Sequence, residues 1–188
     1  LVANRGRLGN VRPALPSVEA LQVVLDKQRT LQAAVEVGID VPKTAEPASL
    51  QEALSLGSSF GFPAVLKWKD PQRVSARLRD LGLPLLKAEY VNSAREWASV
   101  AERYAPLGEW PMVQTYARGR GLGQFFFMQD GVAVRRFQHL RIAEWPPEGG
   151  FSSVCDAVPL DQHVELQRKS EALLRKIGWT GVAMVEYR

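Results

Sequence analysis

Cysteine, long apolar runs and blocks of basic residues are scarce in this chain of 188 residues. The single cysteine, Cys155, cannot form an internal disulfide, so we expect a reducing compartment, assign the protein to the cytoplasm and interpret Cys155 as a packing residue. No apolar run approaches the roughly 18 residues of a membrane-spanning helix, and no signal-peptide pattern opens the chain, so we expect no membrane partner. The dense Lys/Arg blocks of a nucleic-acid binder are also missing.

The composition that is present is typical of a globular protein, with 46% hydrophobic and 23% charged residues. A chain of this length can bury a core in one or two small domains. Its net charge of +4 fits a polyanionic small molecule as ligand. The chain begins at Leu1 rather than at a methionine and ends at Arg188 within a strand-like run, so we expect a fragment of a longer protein.

Hydrophobic periodicity and capping residues predict helices at 17–37 (with a break at Asp26-Lys27), from 49 to 57 or 61, at 93–105 and at 160–177. In the last of these we expect Val164, Leu166, Leu173, Leu174 and Ile177 in the core. Strands are predicted at 62–68, 84–91, 111–116, 124–128, 132–142, 152–155 and 181–188, with polar, irregular chain at 69–83. Short helices alternating with strands and hairpins favour an α+β fold in two lobes, 17–110 and 111–188, after a linker at 1–16.

The stretch from Pro111 to Ile142 organises the chain. Asp130-Gly131 between two β-rich runs predicts a hairpin. Alternation along its return strand puts one set of side chains on a side that faces a cleft, namely Arg135, Phe137, His139 and Arg141. The opposite, covered side would carry Val132, Val134, Leu140 and Ile142. His139 by itself is typical of a structural histidine, whereas the pair with Arg141 favours binding of an anion.

Two lysines have both an ordinary and a functional interpretation. Lys67 lies in the apolar run Phe62–Trp68, where it is either an edge residue that reaches water or a contact to phosphate oxygens. Lys27 by itself is more typical of a solvated surface charge.

Glu186 shares a strand face with Val182 and Met184, which we expect to be buried, so its carboxylate needs a cation. Either Mg²⁺ or an arginine would meet that need. Gly121, with Gly119 and Gly123, would let backbone approach a phosphate closely, or would simply form a flexible hairpin connection.

Six landmarks follow one another along the chain: Asp26-Lys27, Gly38 with Val41-Pro-Lys-Thr44, Phe62-Pro-Ala-Val-Leu-Lys67, Val113-Gln-Thr-Tyr116, Gln138-His-Leu-Arg141 with Glu144-Trp-Pro-Pro, and Gly181-Val-Ala-Met-Val-Glu186. In this order they resemble the ATP-grasp superfamily, which includes biotin carboxylase, carbamoyl phosphate synthetase and many carboxylate–amine ligases. The resemblance covers about residues 15–188. No single landmark is specific, whereas the ordered series is.

The resemblance implies an ATP-grasp-like α+β fold of two lobes with the nucleotide between them. Residues 17–110 would form the N-terminal lobe and 111–188 a truncated C-terminal lobe, while 1–16 would be a linker or the remnant of a preceding domain. It also implies roles for single residues. Lys27 and Lys67 would hold the phosphates of ATP, Arg141 aided by His139 would steady the γ-phosphate, and Glu186 would hold Mg²⁺. The adenine would be received at Met112, Val113, Gln114, Thr115 and Tyr116.

The implied function is that of an ATP-dependent ligase acting through an acyl phosphate, with ATP and Mg²⁺ as cofactors. Its partners would be a small carboxylate and an amine or other nucleophile, and a homodimer is the assembly we consider. The chain departs from the family pattern in two ways. Residues 69–83 contain only Gly82 where the family has a glycine-rich loop, and a second metal-binding segment would lie beyond Arg188. We therefore expect this fragment alone to leave the site incomplete.

Two alternatives remain open on the sequence. One is a nucleotide-binding module without catalysis, which the sequence downstream would distinguish from a ligase. The other is a basic RNA-binding domain, ranked last, which predicts aromatics interleaved with Lys/Arg on one sheet face. The run Phe125–Phe127 supports it weakly, because adjacent side chains on a strand point to opposite faces and core packing would explain them.

Overall fold

The computed structural model describes residues 2–11, 15–145, 147 and 150–188, so parts of the predicted linker at 1–16 and of the loop at 146–150 lie outside the described residues. Its helices are α1 (Val18–Leu25), α2 (Lys27–Glu36), α3 (Leu50–Ser59), α4 (Pro71–Asp80), α5 (Ala94–Tyr104) and α6 (Val164–Lys176). Its strands are β1 (Thr44–Ala45), β2 (Ala64–Lys67), β3 (Glu89–Val91), β4 (Met112–Thr115), β5 (Leu122–Gln129), β6 (Val132–Trp145), β7 (Phe151–Ala157) and β8 (Gly181–Tyr187). Short 3-10 helices lie at Val2–Arg7 and Ala105–Leu107.

Helices combined with two antiparallel sheets confirm the predicted α+β class. The predicted break in the first helix is also confirmed, since α1 and α2 are separated at Asp26. Among the described helices, none is both long and apolar enough to cross a membrane.

The chain divides into two compact units. The central unit comprises Asp26–Gln28 and Val41–Ala117, and the terminal unit comprises Leu1–Leu25, Arg29–Asp40 and Arg118–Arg188. This division lies near residue 117, and most of the segment 17–40 belongs to the terminal unit. The assignment of 17–110 to one lobe stays a prediction.

The central unit is built on a sheet with the strand order β1-β4-β2-β3. Its core is rich in large aromatic and aliphatic side chains, among them the buried Trp97, Tyr104, Leu66 and Leu78. Ser49 and Ser93 cap α3 and α5 by accepting hydrogen bonds from the amides of Glu52 (3.1 Å) and Glu96 (3.2 Å), as the capping boxes predict.

Helix α4 corrects the prediction of irregular chain at 69–83. Asp70 caps it by accepting from the amides of Gln72 and Arg73 at 3.0 and 3.2 Å, and Pro71 occupies its first turn. Val74 and Leu78, four residues apart, are the buried pair that fixes it to the core. The arginines of the segment obscured this short apolar stripe.

The terminal unit has a sheet with the strand order β7-β6-β5-β8, and α6 covers one of its faces. The predicted hairpin is confirmed: Asp130 and Gly131 both have positive φ (51° and 76°), which a two-residue turn with matching strand twist requires. Leu173 and Leu174 of α6 pack into the core, with exposures of 6% and 4%. The covered face is otherwise partly polar, since Gln124 and Gln138 are fully buried.

A bulge near the start of β6 changes which side chains are covered. Val134 is skipped in the register, because residues 127 and 128 of β5 lie opposite residues 135 and 133 of β6. An extra residue shifts the alternation by one, and it is Ala133 that is buried. The predicted apolar side (Val132, Val134, Leu140 and Ile142) is therefore wrong for Val132 and Ile142, which are 56% and 53% exposed, while Val134 and Leu140 are partly buried.

The predicted burial beside Glu186 is also wrong. Val182 and Met184 are 73% and 47% exposed, because α6 covers the other face of β8, on which Ala183 is 9% exposed. Phe127 is exposed as well, so core packing explains only Phe126 in its run.

Two further residues that we predicted to be buried, Cys155 and Val164, are exposed. Cys155 is exposed because β7 is an edge strand whose residues all face solvent. Val164 is 42% exposed because α6 begins only at that residue, one turn later than predicted.

Candidate functional site

In the central unit, the start of α2 and the end of β2 bring two lysines to one region. Lys67 is the last residue of β2, and the Nζ atom of Lys27 donates a hydrogen bond to the carbonyl oxygen of the next residue, Trp68, at 2.7 Å. The ammonium group of Lys27 therefore lies at the carboxyl end of β2, beside the backbone that carries Lys67.

Lys27 is half-buried and is not a freely solvated surface charge. Burial lowers its pKa, while the nearby carboxylates of Asp70 and Asp26 act in the opposite direction. An ammonium group has three N–H donors, so the bond to Trp68 leaves donors for an anionic ligand.

Lys67 is also half-buried, and it lies on an inner strand. Since β2 lies between β4 and β3, the alternative of an edge lysine is wrong. Its backbone lies opposite Met112 of β4.

The segment predicted to receive adenine is the inner strand β4 with the residue that follows it. Met112, Val113 and Gln114 are buried, and β4 is paired with β1 on one side and β2 on the other. The amide of Thr115 donates to Lys43 O at 3.0 Å, and that of Tyr116 donates to Pro63 O at 3.3 Å. Pairing with two neighbours uses much of the backbone of this strand, and the amides at its end are bonded as well, so the adenine role of this segment stays a prediction.

In the terminal unit, the second group of predicted residues lies on the sheet face opposite α6, which we call the open face. His139 of β6 lies opposite Gly123 of β5, and Gly123 lies opposite Glu186 of β8. A Cβ atom on Gly123 would lie 2.6 Å from Nε2 of His139, so the missing side chain lets the imidazole rest on β5. The ring also packs edge-on against Phe125, with centroids 5.0 Å apart.

Arg141 rests on Gly121 in the same way. The amide of Arg141 donates to Gly121 O at 2.8 Å, and a Cβ atom on Gly121 would lie 2.6 Å from Cδ of Arg141. The structure thus gives Gly121 a steric reason to be glycine, while its predicted contact with the cofactor stays a prediction.

The guanidinium of Arg141 contacts two carboxylates. Its Nη2 atom forms an ion pair with Oε1 of Glu186, and its Nη1 atom lies 3.3 Å from Oε1 of Glu144. Nη1 also donates to Gly150 O at 3.3 Å. The side chains of Arg141 and Glu144 are 14% and 8% exposed, whereas that of Glu186 is 44% exposed.

Glu186 has the arginine partner that the sequence left open as an alternative to magnesium. Over the part of the chain that the structure describes, no cluster of three His, Cys, Asp or Glu side chains is arranged to hold a metal ion. Mg²⁺ is, however, commonly held by one or two carboxylates together with substrate phosphates. An accessible carboxylate on the open face fits that kind of site.

The structure thus groups Arg141, His139, Gly121 and Glu186 in the terminal unit, and Lys27 and Lys67 in the central unit. The sequence assigned no role to Glu144 or Arg188. Their ion pair, at 2.5 Å, is visible only once β6 and β8 are placed in one sheet. The only sign of the Arg141–Glu144 contact in the sequence is that Glu144 follows Arg141 by three residues. Regular alternation along a strand would have put these two side chains on opposite faces.

Comparison with known proteins shows similarity in structure only. No protein-family model matches the chain, and no curated protein matches it in sequence. Among solved structures, N5-carboxyaminoimidazole synthase from Aspergillus clavatus, in complex with ADP and 5-aminoimidazole ribonucleotide, matches with a TM-score of 0.66 and 14% identity over 99% of this chain and 46% of its own.

Two further matches have similar scores. A biotin carboxylase from Campylobacter jejuni, in a β,γ-ATP complex, has a TM-score of 0.66 at 16% identity over 95% of this chain and 40% of its own. D-alanine–D-alanine ligase from Bacillus anthracis has a TM-score of 0.60 at 16% identity over 92% of this chain and 55% of its own. The chain therefore spans about half the length of these enzymes, and at such identities the likeness shows the fold.

Proposed function

Because the chain has the ATP-grasp fold, we propose that it is the ATP-binding domain of an ATP-dependent carboxylate–amine, or carboxylate–nucleophile, ligase. The observation that carries the proposal is the group on the open face, where Arg141, His139 and Glu186 lie on neighbouring strands of one sheet. Phosphoryl transfer depends mainly on positioning and charge neutralisation, for which a guanidinium and a second hydrogen-bond donor beside a carboxylate are suited.

In the central unit we assign Lys27 and Lys67 to the phosphates of ATP. Their location at one end of β2, both half-buried, supports this role, because a partly desolvated ammonium binds an anion more strongly than a solvated one. We assign adenine to the segment Met112–Tyr116, whose strand pairs with β2 and begins opposite Lys67.

In the terminal unit we assign Arg141 to the γ-phosphate, with His139 as a second donor. A carboxylate oxygen of the substrate attacks the γ-phosphorus, the bond to the β-phosphate oxygen breaks, and ADP leaves. An amine or other nucleophile then attacks the carbonyl carbon of the acyl phosphate and releases inorganic phosphate. A magnesium ion held by Glu186 and the phosphates would neutralise charge on the transferred group. In the complete protein we expect Arg141→Ala mainly to slow turnover, together with a smaller loss of ATP affinity, because a contact to the γ-phosphate is removed.

The test is calorimetric titration of the chain with ATP, with and without Mg²⁺, beside a Lys67→Ala variant. Loss of one charge-assisted hydrogen bond weakens binding by roughly tenfold to a hundredfold. Lys87→Ala, at an exposed lysine of the same unit, is the matched control and leaves the affinity unchanged. Equal affinities for ATP in the Lys67→Ala and Lys87→Ala proteins would contradict the assignment.

A nucleotide-binding module without catalysis remains the alternative within the same fold. It predicts that ATP binds and that no ADP forms when carboxylates and amines are added to a protein that includes the downstream chain.

RNA binding is a candidate from a different class, and one observation favours it. Phe127 and Phe137, 41% and 49% exposed, lie on the open face with Arg135, so aromatic and basic side chains do share a sheet face. Filter binding with single-stranded RNA tests it, and retention that Phe137→Ala abolishes while ATP binding stays intact would support it.

A further inference from the structure

We infer that Glu144 is the positioning residue for Arg141, acting through a β-bulge that places both side chains on the open face. What Arg141 does in catalysis rests on the proposed function, whereas the positioning itself rests on the geometry of the terminal unit. The role is distinct from that of Glu186, the other carboxylate that Arg141 contacts.

The bulge explains how the two residues meet. On a regular strand, residues three apart point to opposite faces. In the pairing of β6 with β7, residues 141, 143 and 144 lie opposite residues 155, 154 and 152, so Ile142 is an extra residue on β6 and Ser153 is an extra residue on β7. This irregular pairing interrupts the alternation after Arg141, and Glu144 contacts Arg141 on the same side of the sheet. Bulges commonly re-aim side chains next to functional sites.

Glu144 is the more deeply buried of the two carboxylate partners of Arg141. Its side chain is 8% exposed and bridges two cations, since Oε1 lies 3.3 Å from Nη1 of Arg141 and Oε2 lies 2.5 Å from Nη2 of Arg188. Glu186 is 44% exposed. If Glu186 turned to bind a cation, Arg141 would keep Glu144 as its counter-charge and would hold its place.

The side chains of Arg141 and Glu144 pack directly against Gly121. A Cβ atom there would lie 2.6 Å from Cδ of Arg141 and 3.1 Å from Oε1 of Glu144. The Nε atom of Arg141 is buried, and among the described residues it has no hydrogen-bond partner. Packing against Gly121 and the contacts to Glu144, Glu186 and Gly150 O together define where the guanidinium lies.

The first experiment is nitrogen-15 NMR of the arginine side chains in the whole chain. The Nε–Hε signal of Arg141 is identified by its absence in Arg141→Lys. We expect it to exchange slowly with water in the parent protein. In Glu144→Gln and in Gly121→Ala we expect it to shift and to exchange roughly tenfold to a hundredfold faster. The first change removes a charge-assisted contact, and the second adds a methyl group that displaces the Arg141 side chain.

The controls match each change in kind. Glu165→Gln removes a carboxylate that is 72% exposed and paired with Arg168, and Gly6→Ala adds a methyl group where no atom lies within 4 Å. Both leave the Arg141 signal in place. An Arg141 signal that is unchanged in Glu144→Gln overturns the inference, even if the protein is less stable.

The second experiment connects position to ligand binding by measuring ATP affinity in a double-mutant cycle. If Glu144 acts through Arg141, Glu144→Gln weakens ATP binding in the parent and has no further effect in Arg141→Lys. Equal losses in both backgrounds would show that Glu144 acts by another route and would overturn the inference. If neither the parent nor a protein that includes the downstream chain binds ATP, the proposed function fails, and the NMR comparison still decides the positioning role.

Discussion

Gln138→Leu tests how the terminal unit holds the strands of its open face. Gln138 is fully buried (0% exposed) on the covered face of β6. Its Nε2 atom donates to Pro159 O at 2.5 Å and to Gln162 O at 2.9 Å, and its Oε1 atom accepts from Gln124 and Gln167, both at 3.2 Å. Leucine has a similar volume, so the change removes hydrogen bonds without opening a large cavity.

The expected loss follows from which groups keep other partners. Gln167 Nε2 also donates to Leu160 O at 2.7 Å and to Gln162 O at 3.1 Å, so neither Gln167 nor Gln162 O is left without a bond. The Pro159 carbonyl still accepts from the amide of Gln162 at 3.1 Å, so only the buried Gln124 amide nitrogen loses its bond. A buried polar group without a partner costs about 1–3 kcal/mol, so we expect the free energy of unfolding to fall by about 1–3 kcal/mol.

Amide hydrogen exchange on β5 and β6 is the suitable assay, because it reports on the terminal unit by itself. Gln129→Leu, at an exposed position of β5, is the control and changes the free energy by less than about 0.5 kcal/mol. If Gln138→Leu were as mild as this control, the buried amides would not need one another and the magnitude derived above would be refuted.

Three further predictions concern the fold and its pH dependence. Leu78→Ala lowers the free energy of unfolding by about 2–5 kcal/mol in urea denaturation, because Leu78 is 0% exposed. The control Leu81→Ala has a much smaller effect, because Leu81 is 44% exposed. Equal effects of the two substitutions would contradict the packing of α4. Asp70→Ala removes the cap of α4 and costs about 0.5–2 kcal/mol in the same assay, and no loss would mean that the cap contributes nothing. Burial raises the pKa of Tyr187, against a smaller opposing effect of its bond to Ser170, so its stabilising contribution is complete below its unfolded pKa of about 10 and is lost as pH rises through the folded pKa. Unfolding measured from about pH 9 to pH 11.5 should therefore show an alkaline loss that is smaller in Tyr187→Phe, and parallel curves would exclude Tyr187 as its source.

The polar layer that contains Gln138 shows why the covered face was difficult to predict. Ser170 Oγ donates to Gln124 Oε1 at 2.7 Å and lies 2.6 Å from the Tyr187 hydroxyl, so α6 and β8 join the same network. Glutamine is usually an exposed residue, and only pairing with other buried amides makes its burial favourable. Such partners come from distant parts of the chain.

Local chemistry was readable from the sequence. The capping boxes at Ser49 and Ser93 correctly predicted the starts of two helices. Asp130-Gly131 predicted the hairpin, and Asp26 predicted the break between α1 and α2. Each of these signals depends on neighbours within about four residues, so no knowledge of the fold is needed to interpret it.

Tertiary structure decided the register of the strands and the sheet face on which each side chain lies. The extra residues Val134 and Ile142 shift the alternation of β6, because a bulge is a property of the pairing between two strands rather than of either sequence. For the same reason Glu144 joins Arg141 only in the folded sheet. The sequence by itself determined which residues carry the charges and which segments form helices and strands. The pairing of distant strands decided which charges meet, since electrostatic and packing energies depend on distance in space and not on separation along the chain.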